Sequence, residues 1–137
     1  MDCLFCKIAI GEIPCYKVYE DDFALAFLDI DPCAKGHTVI IPKKHFNDLS
    51  EFVAKDWEQM IGVVAEAADI IQEVIRPDGM NIGINDREAA GQAIHHAHWH
   101  IIPRWQNDGG GSIHSIIRTT EKMDVAEVAK QIKERKN

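Results

Sequence analysis

Residues 95–104 read HHAHWHIIPR, and histidine occupies every second position between His96 and His100. Successive side chains of an extended strand point to opposite faces, so this period of two places three imidazole rings on one face and apolar side chains on the other. Pro103 cannot donate to a ladder, so Pro103 and Arg104 fit the end of that strand. A lone histidine on a strand is usually structural, but three in strict alternation favour a functional row near the mouth of a sheet.

The size and composition of the chain predict a single globular domain. Its 137 residues are enough to bury a core, and 46% hydrophobic and 27% charged residues are ordinary values for a globular protein. No apolar run is long enough to span a membrane, and MDCLFCKIAIGEIP lacks the basic start, apolar region and cleavage site of a secretion signal. We therefore expect a cytoplasmic protein that does not enter a membrane.

The net charge restricts the class of partner. The formal charge of −7 argues against a long nucleic acid, because affinity for one comes largely from Lys and Arg that neutralise phosphates. It does not argue against a single nucleotide in a local pocket.

All four cysteines, Cys3, Cys6, Cys15 and Cys33, lie in the first quarter of the chain. A disulfide framework is not expected in a reducing compartment, so the C-x-x-C pair is typical of half a zinc site or of a redox pair. A redox pair usually follows a strand, whereas this pair stands at the start of the sequence, and we favour zinc. Two further ligands are needed, which either Cys15 and Cys33 or histidines can supply.

Short apolar or alternating runs predict a set of strands, at 16–20, 23–28, 37–42 and 80–85 and in the histidine-rich stretch. Apolar residues recur at helical spacing from about Lys55 to Ile75, which predicts one long amphipathic helix that Pro77 and Gly79 end. A short C-terminal helix is predicted to start at Asp124, with Glu127 completing a capping box. This order predicts an α+β fold, in which an antiparallel sheet of about five strands carries the long helix on one face.

The stretch from His96 to Ile102 resembles the His-φ-His-φ-His-φ-φ signature of the histidine triad (HIT) superfamily, where φ is apolar. Three stretches resemble its Hint-like branch: CLFCKIAIGEIP at 3–14, FLDIDPCAKGHTVIIPKKH at 27–45 and GINDREAAGQAIHHAHWHIIPR at 83–104. The resemblance covers most of residues 3–104 and implies one HIT domain over 1–137, with a core at 3–104 and a tail at 105–137. It also implies a homodimer whose sheets join.

The resemblance implies a nucleotide-binding enzyme that attacks the α-phosphorus of a purine nucleotide. His98 is then the nucleophile, which forms a nucleotidyl-histidine that water cleaves, and imidazole suits this role at neutral pH. His100 is expected to stabilise charge on the phosphate. His37 is expected to support the triad from a neighbouring strand, although a packed, hydrogen-bonded ring is an equal alternative for it.

The resemblance also implies a substrate pocket. Asp29 matches the carboxylate that accepts hydrogen bonds from the ribose hydroxyls, although a solvated turn acid is the alternative. The expected apolar wall around the base, for which plain core packing is the alternative, consists of Leu4, Phe5, Ile8, Phe27 and Ile30.

On the phosphate side, Asn85 matches an amide that reaches the phosphate or ribose. The loop of Gly91, Gln92 and Ala93 is expected to bring backbone N–H groups to the phosphate. Many relatives carry Ser or Thr at the position of Ala93, so this chain lacks that hydroxyl on the leaving-group side.

Some HIT proteins with C-x-x-C at this place bind zinc, and the resemblance implies Cys3, Cys6, His45 and His96 as the ligands. Free buried thiols are the alternative. With that set, Cys15 and Cys33 remain as small apolar fillers, and the two other histidines, His95 and His114, are expected on the surface.

Three functional hypotheses are consistent with this resemblance. We favour a hydrolase of nucleoside phosphoramidates or related adenylylated amines that works through His98. A dinucleoside polyphosphate hydrolase uses the same residues with another leaving group, and a non-catalytic nucleotide-binding adaptor is the alternative outside enzymes. A uridylyltransferase is disfavoured, because that branch resembles H-P-H-P-Q and His100 stands where its glutamine would be.

Overall fold

The computed structural model describes residues 2–135 as an antiparallel five-stranded sheet with helices on both faces. The strands are β1 Lys17–Glu20, β2 Ala24–Leu28, β3 Thr38–Pro42, β4 Gly79–Ile84 and β5 Trp99–Arg104. The helices are α1 Leu4–Ala9, α2 Ala54–Ile75 and α3 Val125–Lys133. The strand order is β1-β2-β3-β5-β4, so β1 and β4 form the edges.

The two faces of the sheet have different partners. Ala24, Ala26 and Ile40 belong to the hydrophobic cluster that includes the buried residues of α2. Leu25 and Phe27 alternate with those alanines and belong to a second cluster, with Phe5 of α1. Burial on both faces explains why β2 and β3 are almost continuously apolar, since neither has a solvent-facing side.

This alternation fixes the face on which the histidines lie. Trp99 and Ile101 pack into the α2 cluster, so His100 between them points to the α1 face. The candidate site is therefore on the face that carries the N-terminal segment.

The predicted long helix is confirmed. It begins one residue earlier than Lys55, and Asp56 accepts a hydrogen bond from the Val53 N–H at 2.9 Å. It ends where Arg76 adopts a left-handed conformation with φ 56°, directly before Pro77. The buried side chains are Met60, Val63, Val64, Ala67 and Ile71.

The histidine-rich strand is shorter than predicted. Residues 96–98 precede β5, which begins at Trp99 opposite Ile40 of β3. The physical reason lies at the end of β3. There the Pro42 carbonyl accepts a hydrogen bond from His96 Nε2 at 2.8 Å, so it bonds to a side chain and not to a backbone N–H of the β3–β5 ladder. The backbone N–H of Ala97 donates to Phe46 O at 2.7 Å, outside the sheet.

The sequence did not predict α1. Cys3 is its N-cap, and Cys3 Sγ accepts from the Cys6 N–H at 3.4 Å. The helix has six residues, which is too short for apolar periodicity to stand out.

The C-terminal helix starts after Asp124, whose Oδ1 accepts from the Glu127 N–H at 3.1 Å, as predicted for its cap. Every residue of 106–135 is exposed in the single chain. Within residues 2–135, we find no helix with the length and apolarity that crossing a membrane requires.

Candidate functional site

A cavity of about 550 Å³ opens on the α1 face of the sheet. Its lining includes most of the residues that the sequence singled out, namely Leu4, Phe5, Ile8, Phe27, Asp29, Ile30, Asn85, Gly91, Ala93, His98 and His100. Of the predicted catalytic and substrate-binding residues, Gln92 and His37 are not in the lining.

One side of this cavity is apolar and partly open to solvent. Leu4 is 47% exposed and Ile30 is 87% exposed, so neither is a core residue. Phe5 and Phe27 form the buried base of the wall, with ring centroids 5.9 Å apart. An exposed apolar wall over a concave surface is typical of a ligand site.

Several apolar lining residues were not predicted from the sequence, among them Ile13, Val39 and Ile94. Ile13 lies inside the quoted stretch at 3–14, and Val39 stands two residues after His37, so the period of two indicates its face. Cys15 also lines the cavity, whereas Cys33 is exposed, and the prediction that Cys33 is an apolar filler was wrong.

His98 is held in one tautomer. Its Nδ1 lies 2.8 Å from the carbonyl oxygen of His96, which can only accept, so Nδ1 carries the proton. Burial lowers the pKa of His98, which keeps the ring neutral at pH 7 and leaves Nε2 with a free lone pair. Because the ring lines the cavity, that arrangement suits a nucleophile.

His100 is oriented by His37. The Cys33 N–H donates to His37 Nδ1 at 3.1 Å, so the proton of a neutral His37 is on Nε2. His37 Nε2 lies 2.9 Å from His100 Nδ1 and donates to it, which places the remaining proton of His100 on Nε2. Burial, followed by the neighbouring His98 and His37, lowers the pKa of His100 to about 4. His100 is therefore a neutral hydrogen-bond donor beside His98, with ring centroids 5.0 Å apart.

Asp29 lies at the edge of the cavity just after β2. Its Oδ1 accepts from the Asp31 N–H at 2.8 Å, which fixes the turn. Its Oδ2 lies 3.7 Å from His37 Nε2. The carboxylate therefore has both a structural role and acceptor capacity toward the cavity.

Gln92 is bound within the protein through both its backbone and its side chain. Its backbone N–H, which was expected at the phosphate, donates to Arg87 O at 3.2 Å. The residue is 6% exposed, and its Oε1 accepts from the Arg87 N–H at 2.7 Å. Its Nε2 donates to Asn47 O at 2.7 Å and to Ile94 O at 3.0 Å. The amide is thus fully used within the protein, while Gly91 faces the cavity with φ 94°.

A second group of side chains lies beside the histidine row. The predicted zinc ligands, Cys3, Cys6, His45 and His96, offer sulfur and nitrogen atoms that all lie within 4.8 Å of one another. The sulfur-to-nitrogen distances are 3.4 Å between Cys3 and His96, 3.2 Å between Cys6 and His45, and 3.5 Å between Cys6 and His96. Tetrahedral zinc with Cys and His ligands requires ligand separations of roughly 3.3–3.8 Å.

The hydrogen bonds around this cluster prepare both imidazoles for a metal. His96 Nε2 donates to Pro42 O at 2.8 Å, and His45 Nε2 donates to Asn47 Oδ1 at 3.0 Å. Both Nδ1 atoms therefore point their lone pairs at the cysteines, as ligating histidines with such partners do. Burial lowers the pKa of His96 to about 4, so this ring is neutral, as a ligand must be. The donor set fits zinc.

Another cavity, of about 540 Å³, lies where β5 ends. The cationic side chain in its lining, Arg104, donates to both carboxylate oxygens of Asp108 and to Asn81 Oδ1.

His95 and His114 are exposed, as expected from the sequence.

Known proteins resemble the chain over most of its length. A family model described as HIT domain matches residues 10–107. The chain is 42% identical over 123 residues to adenylylsulfatase HINT3 of Arabidopsis thaliana, which covers 90% of this chain and 62% of that protein. It is 37% identical over 110 residues to adenosine 5′-monophosphoramidase hnt1 of Schizosaccharomyces pombe, which covers 80% of each.

Solved structures agree with this assignment. A crystal structure of a HIT family member from Bacillus subtilis superposes with a TM-score of 0.86 at 39% identity, covering 100% of this chain and 99% of that one. A zinc-bound histidine triad family protein from Mycobacterium smegmatis gives a TM-score of 0.74 at 38% identity, covering 88% and 85%. The match of the family model to most of the chain and the fold shared with these structures show that the chain belongs to the HIT domain family.

Proposed function

We propose that the protein hydrolyses the bond between the α-phosphate of a purine nucleoside monophosphate and its leaving group, an amine or a similar small group. The observation that carries this proposal is the tautomer of His98, whose protonated Nδ1 is bound to His96 O while its free Nε2 belongs to a ring that lines the cavity. Relatives named adenylylsulfatase and adenosine 5′-monophosphoramidase support the same class of reaction.

The nucleotide is proposed to bind with its purine against the apolar wall formed by Leu4, Phe5, Ile8, Phe27 and Ile30. Asp29 accepts from the ribose hydroxyls at the open edge. The phosphate then lies between His98 and His100, within reach of Asn85 and the backbone of Gly91 and Ala93, which line the same cavity. The wall grips any purine, so the base alone contributes little selectivity.

The chemistry runs in two displacements at phosphorus. His98 Nε2 forms a bond to the α-phosphorus while the bond to the leaving nitrogen breaks, and that nitrogen takes up a proton from solvent. Water then gives its hydroxyl to phosphorus and releases one proton, the bond to Nε2 breaks, and the monophosphate leaves. His100 Nε2–H donates to a phosphate oxygen in both steps, which stabilises the charge that develops there.

Zinc on Cys3, Cys6, His45 and His96 is part of the proposal and would have a structural role, holding the N-terminal segment to the histidine row. The donor distances and the protein of Mycobacterium smegmatis support it. We also propose that the protein is a homodimer, since β4 is an edge strand and its Ile82 is 44% exposed. A cytoplasmic location is a further part of the proposal.

The test is to incubate the purified protein with adenosine 5′-phosphoramidate, adenylyl sulfate and diadenosine tetraphosphate. AMP release is followed for each substrate, and intact mass is measured for an adenylyl adduct. A His98→Ala variant is the control. We expect phosphoramidate cleavage that the variant lacks, with an adduct on the wild-type protein alone.

Other outcomes separate the alternatives. Preferred cleavage of diadenosine tetraphosphate identifies a dinucleoside polyphosphate hydrolase. Tight AMP binding with neither turnover nor adduct identifies a nucleotide-binding adaptor and contradicts the enzyme.

A further inference from the structure

We propose that the metal-ligand cluster and the cavity loop at residues 85–94 are one coupled unit, joined by Asn47 and Gln92 as positioning residues. The inference deepens the proposed function and rests on it for the bound zinc and for the role of this loop at the phosphate. The connection itself is a chain of hydrogen bonds between described residues.

The first link leaves the cluster through His45. Its Nδ1 lies 3.2 Å from Cys6 Sγ, and its Nε2 donates to Asn47 Oδ1 at 3.0 Å. A metal on Nδ1 polarises the ring and strengthens the Nε2–H donor, so Asn47 is held more firmly when the site is filled. Asn47 is otherwise an exposed residue.

The second link passes from Asn47 to the loop. The Asn47 carbonyl accepts from Gln92 Nε2 at 2.7 Å, and the same amide donates to Ile94 O and accepts from the Arg87 N–H. Gln92 therefore holds both ends of the 87–94 turn against the segment that carries His45. Since Gln92 is buried, with 6% of its surface exposed, water cannot easily replace these partners.

Two further hydrogen bonds hold the segment 45–49 against its neighbours. Asp86 Oδ1 accepts from the Leu49 N–H at 2.9 Å, and Phe46 O accepts from the Ala97 N–H at 2.7 Å. The segment 45–49 thus contacts the metal cluster, the cavity loop and the histidine row. A displacement at one of these places alters the hydrogen bonds at the other two.

The loop depends on this support because its backbone is strained. Arg87 has φ 72° and ψ 166°, a region that residues other than glycine rarely occupy. Such a conformation persists only when its surroundings over-determine it, and here the Arg87 N–H is held by Gln92 Oε1 at 2.7 Å. Loss of the Gln92 anchor therefore frees Arg87, and Gly91 with it.

The experiment is amide hydrogen exchange of peptides covering residues 85–94, measured by mass spectrometry on zinc-loaded and chelator-treated full-length protein. It needs neither nucleotide nor activity, so its failure is distinguishable from failure of the proposed hydrolysis. We expect metal removal to raise the exchange rate of the loop about fivefold or more. Peptides from α2 report global unfolding, so the loop is compared at exchange times at which the α2 peptides are still protected in both samples.

Three variants test the connection. Asn47→Leu removes only a surface amide. In this variant we expect the zinc-loaded loop to exchange faster than the zinc-loaded wild-type loop, and removal of the metal to raise its exchange rate by only about twofold or less. Asn47→Asp keeps the acceptor for His45 and retains the full effect. In Gln92→Met, the zinc-loaded loop exchanges as fast as the metal-free wild-type loop.

Three results overturn the proposal: a wild-type loop indifferent to zinc, an Asn47→Leu loop that responds as fully as wild type, or a protein that takes up no zinc. Because Asn47 is exposed, its variants are expected to fold even if Gln92→Met does not.

Discussion

His98 Nδ1 donates to the backbone carbonyl of His96 at 2.8 Å, while the ring of His96 lies among the sulfur atoms of Cys3 and Cys6. One residue thus orients the candidate nucleophile with its main chain and offers a metal ligand with its side chain. The candidate catalytic site and the metal-ligand cluster therefore share His96, although only the catalytic site lies in the cavity.

Removing a metal ligand should lower both zinc content and stability. In Cys6→Ser the thiolate ligand is lost. An ion whose free concentration is a thousand times its dissociation constant stabilises the folded protein by about 4 kcal/mol. A loss of that size corresponds to a fall in Tm of roughly 10 °C or more for a domain of this size. Metal analysis and thermal unfolding check this, with Cys33→Ser as the matched control, since Cys33 is exposed and outside the cluster. An unchanged Tm in Cys6→Ser contradicts a structural metal.

The hydrogen bond from His37 to His100 should affect turnover more than binding. His37→Leu removes the Nε2–H donor, so His100 is free to adopt the wrong tautomer, and we expect kcat to fall about a hundredfold. His37→Gln keeps an N–H donor at a comparable reach and should lose about tenfold or less. Steady-state kinetics with AMP affinity, and nitrogen-15 chemical shifts of His100, check the prediction. An equal loss in both variants, or a loss confined to KM, argues against it.

Asp29 should recognise the ribose. In Asp29→Asn one carboxylate acceptor becomes an amide donor, and we expect AMP affinity to fall about tenfold, the size of a hydrogen bond to a charged group. The comparison that isolates this contact is AMP against 2′,3′-dideoxy-AMP by calorimetry. Wild type should prefer AMP and the variant should discriminate little. If both proteins bind the two ligands equally, Asp29 serves only the turn with Asp31.

Metal-free protein should lose stability as the pH falls from about 6.5 to about 4. The folded-state pKa values of His96 and His100 are both lowered to about 4, chiefly by burial, from an ordinary value of 6.5. Between these values the unfolded chain binds more protons than the folded one, so this stability is present above pH 6.5 and is lost on acidification.

Urea unfolding of chelator-treated protein between pH 4.5 and 7 measures this dependence. In His100→Gln one of the two groups is absent, and the curve should be flatter across the window. A variant as steep as wild type removes His100 as a cause and leaves His96 to account for the slope.

Several features could be predicted from the sequence because they depend on local periodicity. The runs at 23–28 and 37–42 predicted strands that the structure has as Ala24–Leu28 and Thr38–Pro42, and helical spacing located Ala54–Ile75 to within one residue. The motif resemblance likewise indicated which side chains meet at the cavity, since a family signature reflects a shared arrangement in space.

Other features depended on contacts that no local pattern records. The start of β5 at Trp99, rather than at His96, is set by the Pro42 carbonyl, which lies 54 positions from the ring that occupies it. Helix α1 depends on Cys3 as its cap and on Phe5 packing against β2. The burial of the Gln92 amide needs Asn47, a residue that its position in the sequence does not suggest.

The sequence by itself determined the five strands, the long helix and the chemical types of the site, because alternation and residue chemistry are local properties of the chain. Only the tertiary structure decided the proton positions. Whether Nδ1 or Nε2 of each histidine is free depends on the oxygen or nitrogen that the fold brings within about 3 Å of the other atom. His98 keeps Nε2 free because a carbonyl holds Nδ1, and His96 presents Nδ1 to the cysteines because the Pro42 carbonyl holds Nε2.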